Sequence, residues 1–363
     1  MELDIVNASA RHENESSQRR RRSSSGQDRI SDLPDHIIGF ILSFLTVVDA
    51  VRTCVLSTRW KNLWKFITEL SFQDRHPLCH TNIKKTQFIQ FVNRILFHHL
   101  NSSTIDSFSL SVHYTYDNSH ISEWTSFVLN KRVQKVCFES LIQDRVFPGD
   151  PLFQCQSLEE LVLKNWLIKV PDFISLSSLT SLKLSRTSMH FFLNEPKDLT
   201  LTFPVLRKFE LDGAFTWLGL KSVTLYVPLV EVISMDFGKY VRGNAEIKFF
   251  ASRVTKFCYT GPFLSEVIFL DAIYIVSANI RLYGSSKSIE ETMHFVSKLL
   301  SINAANLKLC LCSKKVCLLP SLFSFLCCFA LLHVLNNFFR CCIMHPKVSG
   351  LCRDIYIVEY WKL

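Results

Sequence analysis

The residues best equipped for metal or redox chemistry crowd toward the C-terminus, where eight of the 13 cysteines fall at or beyond Cys310. A structural zinc site needs four well-spaced ligands, of the kind that two C-x-x-C knuckles supply, and its thiols must be ionised. Cys310, Cys312 and Cys317, and the adjacent pairs Cys327-Cys328 and Cys341-Cys342, lack that spacing. Their apolar surroundings also disfavour thiolates. His98 and His99 are adjacent on a helical stretch, so they point in different directions and make a poor ligand pair. They read as a helix end, where a cationic side chain suits the dipole. No metal and no cofactor is expected. No G-x-x-x-x-G-K-[ST], H-E-x-x-H or G-x-S-x-G element occurs, and glycine is scarce at 10 residues. Ser, His and Asp are present, but nothing in their spacing specifies a triad, which geometry alone defines. The chain therefore reads as a non-catalytic protein whose chemistry is binding.

Charge gives a second set of candidates. The formal net charge is +9 over 363 residues. A dense part of it is Arg19, Arg20, Arg21 and Arg22, followed by Ser23-Ser24-Ser25. This run fits a nuclear-import signal with phosphorylatable neighbours; a solvated charge run is the plainer reading. No basic helix or interleaved aromatic platform accompanies it, so nucleic acid is not an expected partner. Residues 1–27 are polar, aperiodic and rich in Ser, Glu and Arg, the composition of a disordered tail. The first residues form no apolar leader. Nucleus and/or cytoplasm is the expected location, where thiols are normally reduced.

The strongest binding signal is the stretch from Asp28 to Trp64. Pro34 fixes its own φ and disfavours helix at Leu33, so a helix can begin just after it, capped by Asp32 or Asp35. Ile37, Ile38, Ile41, Leu42 and Leu45 then recur at helical spacing. Thr46-Val47-Val48-Asp49 breaks the pattern, and Asp49 can cap a second helix carrying Ala50, Val51, Cys54 and Val55. Ser57 or Thr58 can cap a third, with Trp60, Leu63 and Trp64 on one side. Three short helices cannot bury this much apolar surface among themselves. The surplus should face a partner or the next domain.

This arrangement resembles an F-box. The Leu33-Pro34 start, the Ile-rich first helix, and Val55-Leu56-Ser57-x-x-Trp60 with Leu63 and Trp64 stand in the family's order. The resemblance implies docking on a Skp-type adaptor, and through it on a cullin, within an SCF-type ubiquitin ligase. It makes Leu33, Pro34, Ile37, Ile41, Leu42, Val55, Leu56 and Trp60 the adaptor-binding candidates, some of which must instead pack the domain's own core.

Residues 67–104 read as a linker and a helix, with an extended Glu69-Leu70-Ser71-Phe72. On the helix, Phe88, Phe91, Val92, Ile95, Leu96 and His99 share one face. From residue 105 the periodicity changes. Ile105, Phe108, Leu110 and Val112 suggest a strand, and residues 122–129 a helix. An apolar-x-x-apolar-x-apolar unit then recurs at Val133, Leu158, Leu179, Leu206, Val230 and Val254. The intervals from Leu158 to Leu179 to Leu206, about 21 and 27 residues, lie in the leucine-rich-repeat range. The usual Asn or Cys further along is mostly missing, so the repeats are degenerate. One short strand cannot cover its own apolar side, and stacked neighbours must do so. The intervening polar positions then face outward, which makes Glu160, Ser181, Lys183, Lys208, Glu210 and Lys256 the substrate-binding candidates. Phrases such as Ser157-Leu158-Glu159-Glu160-Leu161-Val162-Leu163 are similar to plant F-box proteins with leucine-rich repeats, some of which carry an FBD region. His294–Leu300 resembles the helix before that family's last repeat.

After Leu311 the text changes character. Val316–Leu335 holds no Asp, Glu, Lys or Arg over about 20 residues, the length of a membrane span. Residues 312–363 thus read as a divergent Cys-rich tail: an alternative-transcript end, a tail anchor or a buried core helix. The expected fold is α/β, a short three-helix F-box (28–66) followed by a leucine-rich-repeat solenoid, or horseshoe, over 105–311. The expected function is a substrate-recognition adaptor of a ubiquitin ligase with an unknown substrate protein. The alternative is a repeat scaffold, tethered to a membrane through 316–335 or left non-functional by truncation.

Overall fold

The structure is a computed structural model that describes residues 30, 32–74, 82–99, 104–142, 145–169, 174–190, 197–213, 216–218, 220–237, 246–262, 267–269, 275–283, 304–312, 338–346 and 352–360. The Arg19–Arg22 run, the rest of the 1–27 tail, His294–Leu300 and Val316–Leu335 lie outside them. The chain divides into two compact units, Met1–Ile67 and Thr68–Leu363.

The first unit is built on α1 (Asp35–Ser43) and α2 (Val47–Arg52), followed by 3-10 turns at Thr53–Val55 and Trp60–Phe66. Pro34 is the N-cap residue of α1 and makes no side-chain cap bond. Asp35 does not cap this helix; its carboxylate accepts hydrogen bonds from Arg59 Nε at 2.9 Å and Nη2 at 2.6 Å. The second cap also differs from expectation. Thr46 Oγ1 accepts the Asp49 N–H at 3.2 Å, and Asp49 Oδ2 accepts the Thr46 hydroxyl at 2.9 Å. The Thr46 side chain thus caps α2 at one backbone N–H, and the Asp49 carboxylate holds the capping hydroxyl in place. Ser57 Oγ accepts the Trp60 N–H at 3.4 Å. The third segment winds as 3-10 rather than α-helix, and Trp60, Leu63 and Trp64 are buried with Ile38, Leu42, Val47 and Ala50.

The second unit is a solenoid of parallel strands. Its main sheet has twelve strands in the order β1-β2-β3-β5-β7-β10-β13-β15-β17-β18-β19-β20. The first are β1 (Glu69–Gln73), β2 (Ser107–Val112), β3 (Lys135–Ser140), β5 (Glu160–Lys164), β7 (Ser181–Ser185) and β10 (Lys208–Asp212). They continue through β13 (Val232–Asp236), β15 (Lys256–Pro262), β17 (Ile275–Tyr283), β18 (Ala304–Cys312), β19 (Phe338–Pro346) and β20 (Cys352–Tyr360). All pairings are parallel except β19 with β20. Two helices, α3 (Asn82–His98) and α4 (Asn118–Leu129), occupy the crossovers from β1 to β2 and from β2 to β3. Among the described residues further along, short strands stand in the crossovers. One minor sheet runs β11 (Thr216–Leu218), β8, β6 and β4 (Arg145–Val146), and another runs β16 (Val267–Phe269), β14, β12 and β9 (Lys197–Thr202). In the first, β6 is Trp166–Lys169 and β8 is Ser188–His190; in the second, β12 is Leu220–Tyr226 and β14 is Glu246–Phe250.

The main sheet begins earlier and ends later than the repeat spacing suggested. β1 precedes residue 105 because Glu69-Leu70-Ser71-Phe72-Gln73 alternates strictly, with Leu70 and Phe72 inward, and pairs in register with β2. β18 ends at Cys312, and β19 and β20 extend the sheet beyond it. Among the described residues, no helix is long and apolar enough to cross a membrane.

Alternation explains the core. Phe108, Val136, Leu161, Leu182, Phe209, Ile233, Phe257 and Ala278 occupy one register row and are all buried. Leu110, Phe138, Leu163, Leu184, Leu211, Met235, Tyr259 and Ile280 form the next inward row and are buried too. A chain of aromatic contacts runs from Phe91 through Phe72, Phe108, Phe138 and Phe147 to Trp166, with ring centroids 5.2 to 6.0 Å apart. Such pairs add about 0.5–1.5 kcal/mol each beyond their buried area.

Each of three successive strands is left through a left-handed residue. Asn165 (φ 57°), Arg186 (φ 47°) and Gly213 (φ 71°) directly follow β5, β7 and β10. Asn tolerates this region and Gly enters it freely, whereas Arg is strained there. A Cβ on Gly213 would also lie 2.7 Å from Arg186 Cγ. Gly213→Ala should therefore cost about 1–2 kcal/mol, read as a lower midpoint in urea unfolding; an unchanged midpoint would show that the turn relaxes.

Candidate binding surfaces

In the first unit, the helices divide their apolar residues between two sides. Ile38, Gly39 and Leu42 of α1 turn inward. Ile37, Phe40, Ile41, Phe44, Leu45 and Val48 stay exposed. Within α1, Ile37, Phe40 and Ile41 recur at three- and four-residue spacing and share one side of the helix, and Phe44 follows at its C-cap. Phe40 and Phe44 meet edge to face at 5.0 Å. After α2, Val55 is 88% and Leu56 65% exposed. Phe66 is likewise exposed. An apolar surface of this extent on one small unit marks an interaction site.

The eight adaptor-binding candidates thus separate. Pro34, Ile37, Ile41, Val55 and Leu56 are exposed, and Leu33 is half-buried. Leu42, at 0% exposure, and Trp60, at 8%, are packed inside the unit and stabilise it instead of presenting a surface. The Leu33 carbonyl accepts a hydrogen bond from Arg59 Nη2, and the same guanidinium grips Asp35. Arg59 thereby ties the Leu-Pro turn to the segment carrying Val55 and Leu56. Because this ion pair is largely solvent-exposed, its direct stabilisation is only about 0–1 kcal/mol. The exposed Phe40, Phe44, Leu45, Val48 and Phe66 were not singled out as interface residues from sequence. Leu45 even shared the helical pattern with Ile38 and Leu42, because periodicity does not say which side meets the core.

In the second unit, all six substrate-binding candidates lie at outward positions of the main sheet. Lys135, Glu160, Ser181, Lys208, Val232, Lys256, Ser277 and Asn306 form one outward row. Cys137, Val162, Lys183, Glu210, Ser234, Cys258, Asn279 and Lys308 form the next. Ion pairs, three between strands and one within β10, tie much of this face together. Lys135 meets Glu160 at 2.9 Å, and Lys164 meets Glu139 at 3.8 Å. Glu210 receives both Lys208 at 3.0 Å and Lys183 at 3.6 Å. The hydrogen bond and charge of Glu160 raise the Lys135 ammonium pKa. Burial pushes the Cys137 thiol pKa upward, with Lys164 opposing. Cys137 is therefore a protonated packing residue rather than a nucleophile.

One buried polar cluster has no counterpart in the sequence reading. Asp74, directly after β1, accepts hydrogen bonds from the His113 N–H at 2.6 Å, His113 Nδ1 at 2.7 Å, the Tyr114 N–H at 3.2 Å and the Tyr116 hydroxyl at 2.8 Å. Its side chain is 2% exposed. Burial first, then the Asp74 carboxylate, raises the Tyr116 phenol far above its ordinary range, so it stays a donor. Arg145 closes the cluster by donating from Nη2 to the Tyr116 carbonyl and lying over the Trp166 ring. Lone acidic residues in a linker carry no periodic signal, so only the fold reveals this partner set. His99 is similarly structural: it is buried, with Nδ1 2.9 Å from the Ile95 carbonyl. Among the described residues, no three His, Cys, Asp or Glu side chains group to hold a metal ion.

Residues 30–68 match the F-box domain. The chain is 30% identical over 218 residues to an F-box/FBD/LRR-repeat protein of Arabidopsis thaliana, an alignment covering 58% of this chain and 46% of the relative. An FBD-associated F-box protein of the same plant is 26% identical over 258 residues, covering 68% of this chain and 52% of the relative. An F-box/LRR-repeat protein is 30% identical over 169 residues, covering 46% and 53%. No solved structure matches. The chain spans about half the length of these curated relatives. It carries an F-box domain followed by a solenoid of parallel strands, and over about half its length it is similar to plant F-box/FBD/LRR-repeat proteins.

Proposed function

We propose that the chain is the substrate-recognition subunit of an SCF-type ubiquitin ligase. The observation that carries this reading is the exposed apolar stripe of α1, together with Val55 and Leu56, inside the segment that matches the F-box. A Skp-type adaptor is the partner that covers it, and a cullin follows through the adaptor. The outward face of the main sheet holds a substrate protein. Catalysis then needs no residue of this chain, because holding a substrate beside a ubiquitin-loaded enzyme raises its effective concentration. A nuclear or cytoplasmic location suits that role.

The test is co-precipitation of the endogenous adaptor and cullin with the intact tagged protein. Recovery of both supports the ligase reading. Recovery of neither, from protein shown to be folded, removes it and leaves a repeat scaffold.

A further inference from the structure

The apolar surface of the F-box unit is carried by two separate segments. Ile37, Phe40 and Ile41 lie on α1, whereas Val55 and Leu56 lie beyond α2. Val55 and Leu56 are mostly exposed, so their own packing does little to fix where they stand. One side chain reaches from their segment to the start of α1. Arg59 Nε donates to Asp35 Oδ1 at 2.9 Å, and Arg59 Nη2 donates to the same oxygen at 2.6 Å and to the Leu33 carbonyl. Asp35 opens α1. The Leu33 carbonyl stands before the helix, and the first helical N–H groups, those of Ile37 and Ile38, bond the Pro34 carbonyl instead. The carbonyl of a half-buried residue needs a donor from elsewhere, and the guanidinium supplies it. Its planar fork serves carboxylate and carbonyl together in a fixed geometry, which the point charge of a lysine ammonium does not reproduce.

From this geometry we infer that Arg59 is a positioning residue for the adaptor. It holds the Leu33–Pro34 turn and the Val55–Leu56 segment in the relative place that one partner surface needs. The guanidinium acts through Asp35 and Leu33, not by touching the adaptor. Its contribution is preorganisation: a partner that covers both segments must otherwise order them itself, which weakens binding. Folding depends much less on this clamp. Exposed ion pairs stabilise weakly, and Ile38, Leu42, Trp60 and Leu63 form the core of the unit. The inference rests on the adaptor reading of this surface and goes beyond it. Titration of the unaltered chain decides that reading, and the Arg59 variants decide this one, so the two failures are distinguishable.

The experiment is calorimetric titration of the full-length chain with a purified Skp-type adaptor, alongside thermal unfolding of each variant. Arg59→Ala should weaken binding about tenfold, the scale of one charge-assisted hydrogen bond. Its unfolding midpoint should stay within about 4 °C of the unaltered chain. Asp35→Ala should weaken binding about threefold. The double variant should bind no more weakly than Arg59→Ala alone, because the two side chains act as one unit. Arg59→Lys should recover part of the loss, since it keeps the charge but not the fork. Arg52→Ala is the control: it removes an equal charge whose ion pair, with Asp49, stays within α2. That change should alter affinity by no more than about twofold. Unchanged affinity in Arg59→Ala would overturn the inference. So would full additivity of the Asp35 and Arg59 effects, which would put the guanidinium in the interface itself. An equal loss from Arg52→Ala would assign the effect to net charge, and a midpoint lowered by more than about 4 °C would make Arg59 a folding residue; either result removes the positioning role.

Discussion

Val55→Glu with Leu56→Glu should abolish capture of the Skp-type adaptor while leaving the chain folded. Both residues are mostly exposed, so their replacement removes little packing and should change stability by about 0.5 kcal/mol. If an apolar partner covers them, each truncation of a central anchor costs about 2 kcal/mol or more, and burying an unpaired carboxylate there costs further. Two such changes take a tight complex beyond detection in a pull-down. Trp60→Ala provides the contrast. Trp60 is packed in the unit, and removing a large core aromatic costs about 3–5 kcal/mol. That variant should lose the adaptor by unfolding, with loss of helical circular dichroism, whereas the Val55 and Leu56 variant should keep its spectrum. Retained capture by the glutamate pair would remove these two residues from the interface.

Asp74→Ala should be the most damaging single change in the repeat unit. Its carboxylate satisfies two backbone N–H groups, the His113 ring and the Tyr116 hydroxyl in a site closed to solvent. Removing the acceptor strands buried donors, at a cost of about 3–5 kcal/mol for a buried charged partner. Tyr116→Phe should cost less, about 1 kcal/mol, because three of the four contacts to Asp74 survive it. The elevated Tyr116 pKa fixes the sign of any alkaline effect. A phenol whose folded pKa lies above its unfolded value is stabilised as the protonated donor below the unfolded pKa, and that contribution is lost as pH rises above it. Thermal unfolding of the intact variants measures both costs. A near-native midpoint for Asp74→Ala would mean that the loop from His113 to Tyr116 finds other acceptors.

Much of the architecture was readable because strands obey a two-residue period. The apolar-x-x-apolar-x-apolar units place Leu161 and Leu163, or Leu182 and Leu184, on the inward side, and these pairs fall in register across the sheet. The first Leu of each unit, such as Leu158 or Leu179, is buried just before its strand begins. The minor sheets were less visible. Ser188–His190 and Trp166–Lys169 are too short for periodicity to register, and they form because stacked neighbours supply their hydrogen bonds. The F-box surface was half legible. Composition exposed a surplus of apolar side chains, but Leu42 and Ile41 look alike in sequence, and only packing sends one inward and the other outward. Outward charges were identified as a set, whereas their cross-strand pairing depends on register, which degenerate spacing does not give.

The exposed apolar side of the F-box unit should bind an adaptor. Calorimetric titration of the purified full-length chain with a purified Skp-type adaptor tests it most directly. The expected result is a one-to-one complex with Kd below about 1 µM and a negative heat-capacity change, the mark of apolar burial. No heat of binding at adaptor concentrations up to about 100 µM, with both proteins folded, would contradict it.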